Sequence, residues 1–279
     1  KMMTLARIMM RIVLFGKRYN EPFGNPYGDD SRKGEDFNLN AIANRIVKEF
    51  SDDNKDLEVL LKESICANVV DLTDGYTLGR YLKEGEDFFR EKMTKAANKV
   101  WTINFWPEFE REVIETTKPL RLAYITDNNG EIVADLRFIQ VLLLGNNNLT
   151  IQIIAKDTNA AKKGLVGNDA SYEDVMQLIE NDGEFKPLQE FLRNGRLIIE
   201  DIGPNGQGID LKKASSKLLD AFLNCDAIFS KGQANFASLQ GIKKPVYAGL
   251  RIKGFITSRV MGINVKRGPI VFVKLLPGI

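Results

Sequence analysis

The chain contains no histidine. That absence removes Ser-His-Asp and Cys-His nucleophilic schemes, histidine general bases and histidine-containing zinc sites. Any bound metal must therefore be held mainly by oxygen, which favours Mg²⁺, Mn²⁺ or a similar ion. There are only two cysteines, Cys66 and Cys225, far apart in sequence. They form no disulfide framework, and reduced, buried thiols are expected. No apolar run reaches the ~18 residues that a bilayer span needs. The opening K-M-M-T-L-A-R-I-M-M-R-I-V-L-F mixes basic and apolar residues without a small-residue cleavage site. It reads as a helix and not as a signal peptide, with the cytoplasm as the expected location. An excess of one charge is also missing: 39 Lys and Arg stand against 37 Asp and Glu, a net charge of +2. That balance gives no electrostatic case for nucleic acid or an anionic membrane as partner.

What is present is ordinary globular composition, with 44% apolar and 27% charged residues over 279 positions. That length suffices for one large domain or two small ones. The texture changes near Thr117-Lys118-Pro119. Upstream, apolar spacing at helical period predicts helices over Met2–Phe15, Asn40–Phe50, Leu57–Val69, Glu84–Val100 and Glu108–Glu115. The stretch Gly16–Asn38, rich in Gly, Pro, Asn and Asp, predicts a long loop. Downstream, strands are expected at Leu120–Thr126, Leu149–Ala155, Arg196–Ile199, Ala227–Ser230, Pro245–Ala248 and Ile270–Leu275. Helices are expected at Glu131–Leu144, Tyr172–Asn181, Phe185–Asn194, Leu211–Asn224 and Gly254–Met261. Alternating β and α predicts an α/β fold: a three-layer α/β/α core on a mostly parallel sheet over 118–279, preceded by a helical domain over 1–117.

Right-handed crossovers place the loop after each parallel strand on one edge, where open α/β sheets bind ligands. Four such loops are rich in polar groups. After the first strand comes Asp127-Asn128-Asn129-Gly130-Glu131, with Asp135 one helical turn beyond Glu131. The second leads to N-D-A-S-Y-E-D at Asn168–Asp174, the third to D-I-G-P-N-G-Q-G-I-D at Asp201–Asp210, and the fourth to S-K-G-Q-A-N-F at Ser230–Phe236. Each alone has a plain structural reading. Asp127-Asn128 and Asp169 or Ser171 are ordinary helix caps, the glycines of Gly203–Gly208 serve a turn, and Lys231 is a solvated strand exit. The glycine loop lacks Gly-Lys-Ser/Thr and is not a P-loop. Together the four loops collect carboxylates, an amide, a lysine and glycine backbone, the donors that hold a cation and a phosphate.

These residues resemble the damage-control phosphatase family, formerly domain of unknown function eighty-nine. The family pattern D-N-x-G-E-x-x-x-D is matched by Asp127, Asn128, Gly130, Glu131 and Asp135. Its D-[AT]-[ST]-x-x-D is matched by Asp169, Ala170, Ser171 and Asp174. The pattern D-x-[IV]-[IF]-x-K-G-x-x-N-[FY] is matched by Asp226, Ile228, Phe229, Lys231, Gly232, Asn235 and Phe236. An N-x-x-D in the helical part is matched by Asn68 and Asp71. The Cys-x-x-Cys segment with which small archaeal members often begin is absent.

The resemblance implies a metal-dependent phosphomonoesterase acting on small phosphorylated metabolites, either sugar phosphates or phosphopantetheine-like compounds. It implies a divalent ion (Mn, Mg, Co or Ni) on Asp127, Asn128 and Asp169, with Lys231 on the substrate phosphate. Asp127, Asp169 and Lys231 would carry the chemistry, and Asn68, Asp71, Glu131, Asp135 and Asn235 would line the substrate pocket. Two other readings stay open. One is an S-adenosylmethionine-dependent carboxyl methyltransferase, although no G-x-G-x-G turn follows the first core strand. The other is a non-catalytic metabolite-binding module on the same fold.

Overall fold

The structure, a computed structural model, describes residues 56–67, 80, 83–163, 165, 169–204, 206, 208–252, 255–263 and 268–275. The helices expected at Met2–Phe15 and Asn40–Phe50, the loop Gly16–Asn38, and Asn68 and Asp71 lie outside these residues.

Seven strands form one sheet: β1 (Trp101–Asn104), β2 (Leu120–Ile125), β3 (Leu149–Ile154), β4 (Leu197–Ile199), β5 (Ala227–Lys231), β6 (Val246–Arg251) and β7 (Ile270–Leu275). Their order is β1-β7-β6-β5-β2-β3-β4. Strands β2 to β6 are parallel, whereas β7 runs antiparallel to β6 and carries β1 parallel to itself. The helices are α1 (Leu57–Cys66), α2 (Asp87–Ala97), α3 (Trp106–Phe109), α4 (Ile132–Gly145), α5 (Thr158–Lys162), α6 (Tyr172–Asn181), α7 (Lys186–Arg193), α8 (Ser216–Asn224), α9 (Gln233–Ser238) and α10 (Phe255–Met261). None of the helices in the described residues is long and apolar enough to cross a membrane.

The sheet is covered on both faces, so its central strands read as unbroken apolar runs. Side chains alternate by the strand's period of two. Leu122, Tyr124 and Phe229 face one core with α1, α2 and α4. Ala123, Ile125 and Ile228 face a second core with Leu218 and Phe222 of α8. The first core holds an aromatic stack, with Tyr124 and Phe229 rings 4.5 Å apart and Phe109 edge-on to Tyr247 at 5.0 Å. Such pairs add about 0.5–1.5 kcal/mol each beyond area burial.

The α/β architecture with a mostly parallel sheet is as expected from the sequence. Three local differences have physical reasons. Trp101–Asn104, upstream of Thr117, pairs with β7 and gives the sheet an edge strand; at four residues it is too short to show a period. Helix α8 starts at Ser216 and not Leu211, because the Ser215 hydroxyl accepts from the Leu218 N–H and caps it there. Strand β6 runs on to Arg251, since β7 pairs with it through Arg251↔Ile270.

Candidate active site

The chain builds outward from β2 in both directions. It passes to β3 and β4 on one side, then returns to β5 and β6 on the other. Adjacent strands β2 and β5 therefore send their following loops apart, which opens a crevice at their carboxyl ends. Asp127 follows β2 and Lys231 ends β5, so both belong to this crevice. A cavity of about 160 Å³ opens there, lined by Asp127, Asn128, Glu131, Lys231, Gly232 and Arg251, with Ile65, Gln233 and Gly249.

At its floor lies a buried charge cluster. The Lys231 ammonium sits 2.8 Å from Asp135 Oδ1 and 3.0 Å from Glu131 Oε2. Lys231 is 2% exposed and both acids are fully buried. Burial alone would lower the Lys231 pKa, but the carboxylates of Asp135, Glu131 and Asp127 outweigh it and hold the value above the ordinary one. Burial pushes the Asp135 carboxyl up, against the opposing pull of Lys231 and the Ser64 hydroxyl. That hydroxyl, on α1, donates to Asp135 Oδ1.

Gly232 adopts φ +87°, a region that favours glycine. A Cβ placed there would lie 2.3 Å from Asp127 Cγ, so only glycine lets the β5 turn pass beside this carboxylate. The Asn128 amide donates from its nitrogen to Glu131 Oε1 at 2.7 Å, which leaves its oxygen as a donor to a cation. Backbone pairing joins Asn128 to Asp169, and the Ala170 N–H donates to the Asp127 carbonyl at 2.8 Å. Asp169 meets Lys156 at 3.1 Å. Among the described residues no three His, Cys, Asp or Glu side chains form a metal cage. The expected trio has two carboxylates and an amide, all oxygen donors.

Glu131 stands at the N-cap position of α4, and its own side chain makes no capping hydrogen bond there. Ser171 does cap α6, in a reciprocal box with Asp174. Asp135 and Asn235, expected against substrate, are placed behind the cavity. The Asn235 amide donates to the carbonyls of Thr126 and Lys231, tying β2 to β5 across the crevice. In the glycine-rich loop the carbonyls of Gly206 and Gly208 accept from a buried lysine, with Lys156 Nζ at 3.1 Å and 2.9 Å. Asn68 and Asp71 fall outside the described residues. Sequence reasoning missed Ser64, Lys156, Gln233 and Arg251. Arg251 was hidden because β6 was expected to end at Ala248.

The damage-control phosphatase ARMT1-like domain model matches residues 33–264. The chain belongs to that family. A curated relative, damage-control phosphatase PH1575 of Pyrococcus horikoshii, is 27% identical over 188 residues, which cover 67% of this chain and 54% of that protein. The chain thus spans about half the length of the curated relative it matches. The crystal structure of a DUF89 family protein (PH1575) from Pyrococcus horikoshii matches with a TM-score of 0.66 at 24% identity. That match covers 93% of this chain and 79% of the other, and it shows that the α/β architecture is the family's fold.

Proposed function

We propose that this member of the damage-control phosphatase family is a metal-dependent phosphomonoesterase for small phosphorylated metabolites, sugar phosphates or phosphopantetheine-like compounds, working in the cytoplasm. The single observation that carries the reading is the meeting of Asp127 and Asn128 with Lys231 and Gly232 around one cavity at the sheet's switch point. Family membership and the name of the curated relative support the reaction class. The two cysteines, both free and buried, suit a reducing compartment.

A divalent cation fits the donor set of Asp127, Asn128 and Asp169, because every available donor is oxygen and Gly232 keeps space clear beside Asp127. Such an ion supplies charge neutralisation at the phosphoryl oxygens and a lowered pKa for a coordinated water. The chain's own groups do the rest. Lys231, kept cationic by its carboxylates, faces the cavity where phosphoryl charge spreads in the transition state. Glu131 holds both partners in place, Asn128 through one oxygen and Lys231 through the other. Lys156 orients Asp169. Ile65 on the wall excludes water from one side. In this reading Asn68 and Asp71, from the helical region 1–117, complete the substrate side. A covalent route through Asp127 would need a second acid two residues on, and a buried Asn129 stands there.

The test is Asp127→Ala, assayed on a panel of phosphate esters with Mn²⁺, Mg²⁺ and Co²⁺. Turnover should fall by at least about a hundredfold, in keeping with loss of a preorganised electrostatic group. Undiminished turnover would sink the assignment.

A further inference from the structure

The cavity is electrically polarised. Its floor sets one ammonium, Lys231, against three carboxylates, Asp127, Glu131 and Asp135. Its opposite end carries Arg251. In the parallel register Lys231 pairs with Gly249, and Arg251 lies two residues further along β6 on the same face, about 7 Å outward. Gly249 has no side chain in between; a Cβ there would meet Ile65 Cδ1 at 2.7 Å. The glycine thus lets Ile65 close directly on β6 between Lys231 and Arg251, as an apolar wall of the cavity.

Arg251 is not alone. Lys99 Nζ donates to the Gly268 carbonyl at 2.6 Å. A Cβ on Gly268 would lie 3.4 Å from Arg251 Nε and 3.5 Å from Nη2. Two cations thus flank one glycine at the rim, and among the described residues neither is ion-paired. The two buried lysines near the site are ion-paired, Lys231 with Asp135 and Glu131, and Lys156 with Asp169 besides two carbonyls. Burial lowers the Lys99 pKa, and the nearby Arg251 lowers it further. A guanidinium beside a half-buried ammonium raises the local positive potential, which favours an anion there.

We propose that Arg251, aided by Lys99, is a specificity-determining residue that binds a second anionic group, carboxylate or phosphate, on the non-scissile end of the substrate. The inference rests on the phosphatase reading of the cavity floor and narrows its substrate class to phosphomonoesters bearing a second anion. An ester with its phosphate at the floor presents its far end to this rim. The guanidinium offers a planar fork that matches carboxylate or phosphate oxygens in pairs.

The experiment compares matched esters on the whole protein with Mn²⁺: 3-phosphoglycerate against glycerol 3-phosphate, and fructose 1,6-bisphosphate against fructose 6-phosphate. The first pair reports a carboxylate and the second a second phosphate. In parallel, the binding of each compound is measured by calorimetry in EDTA. Wild type should favour the doubly anionic partner of at least one pair by roughly tenfold or more in kcat/KM, mostly through KM, as charge-assisted hydrogen bonds provide. Arg251→Met should bring that ratio close to one, and Arg251→Lys should restore part of it. A wild-type ratio near one for both pairs, or a ratio unchanged in Arg251→Met, overturns the proposal. If wild type hydrolyses none of the four compounds and no ester of the wider panel, the phosphatase reading fails by itself. With none of the four hydrolysed, the binding ratio in EDTA decides the role of Arg251 by the same criteria, and wild type alone decides it if Arg251→Met does not fold.

Discussion

Replacing Lys231 by Met keeps much of the side chain's volume and removes its charge. The two acids it holds at 2.8 and 3.0 Å are fully buried, so the variant leaves Asp135 and Glu131 facing each other without a cation. Breaking a buried ion pair by deleting one partner costs about 3–5 kcal/mol, a large share of the ~5–15 kcal/mol that holds a domain folded. At about 2–4 °C per kcal/mol for chains near this size, the melting point should fall by roughly 6–20 °C. The pH dependence has a definite sign. The folded-state Asp135 pKa already lies above the ordinary 3.8, through burial, and Lys231 is the strongest influence pulling it down. Without Lys231 the folded protein binds a proton there more tightly than the unfolded chain does. Its stability therefore rises as pH falls toward 3.8 and declines as pH rises through the folded pKa. Urea unfolding of the metal-free protein at pH 8, 7 and 5.5 should show the gap to wild type narrowing on the acid side. In addition, Lys231→Met combined with Asp135→Leu should cost less than the two single changes summed, by at least about 2 kcal/mol. A variant within about 1 kcal/mol of wild type, or a gap that widens as pH falls, would refute the reasoning.

Gly232→Ala places a methyl group against the Asp127 carboxylate at a backbone angle unfavourable for L-residues. Mn²⁺ binding measured by calorimetry should weaken by roughly tenfold or more, with a stability loss of about 1–2 kcal/mol; unchanged Mn²⁺ affinity would separate Asp127 from the metal. Glu112 accepts from Lys274 and Tyr247, each at 2.5 Å, and these bonds hold its carboxyl at about 2. Its contribution is present above the unfolded value near 4.5 and is lost as pH falls toward 2. Glu112→Gln should flatten the acid limb of the stability curve in that window, by no more than about 1 kcal/mol because the pair is partly solvated. An acid limb identical to that of wild type would show that the contact adds nothing.

The sheet was legible in the sequence because five parallel strands covered on both faces leave long β-branched runs such as I-Q-I-I, and because helices of eight or more residues display their period. Asp127, Asn128, Glu131 and Lys231 were legible because strand-end loops carry more polar groups than turns require. Other features depend on contacts between segments distant in the chain. The reversal of β7 is set by pairing with β6, not by anything in I-V-F-V-K-L. Four-residue β1 and six-residue α9 are too short to show periodicity. Lys156 looks like a surface lysine in A-K-D-T, and only the fold brings Asp169, Gly206 and Gly208 to it. Ser64 belongs to an ordinary helical repeat until α1 packs beside α4. Asn235 was expected against substrate through the family resemblance; its bonds to Thr126 O and Lys231 O appear only when β2 and β5 lie side by side.

The order of the strands also bears on how the protein is put together. One wing, β2 to β4, contributes Asp127, Asn128, Glu131, Asp135 and Asp169; the other, β5 and β6, contributes Lys231, Gly232 and Arg251. A single cut in the connection between β4 and α8 would leave every acid in one piece and Lys231 and Arg251 in the other. Neither half would have a cavity to offer. The site is in that sense a seam, and a ligand that touches both sides of it acts as a clasp on the whole sheet.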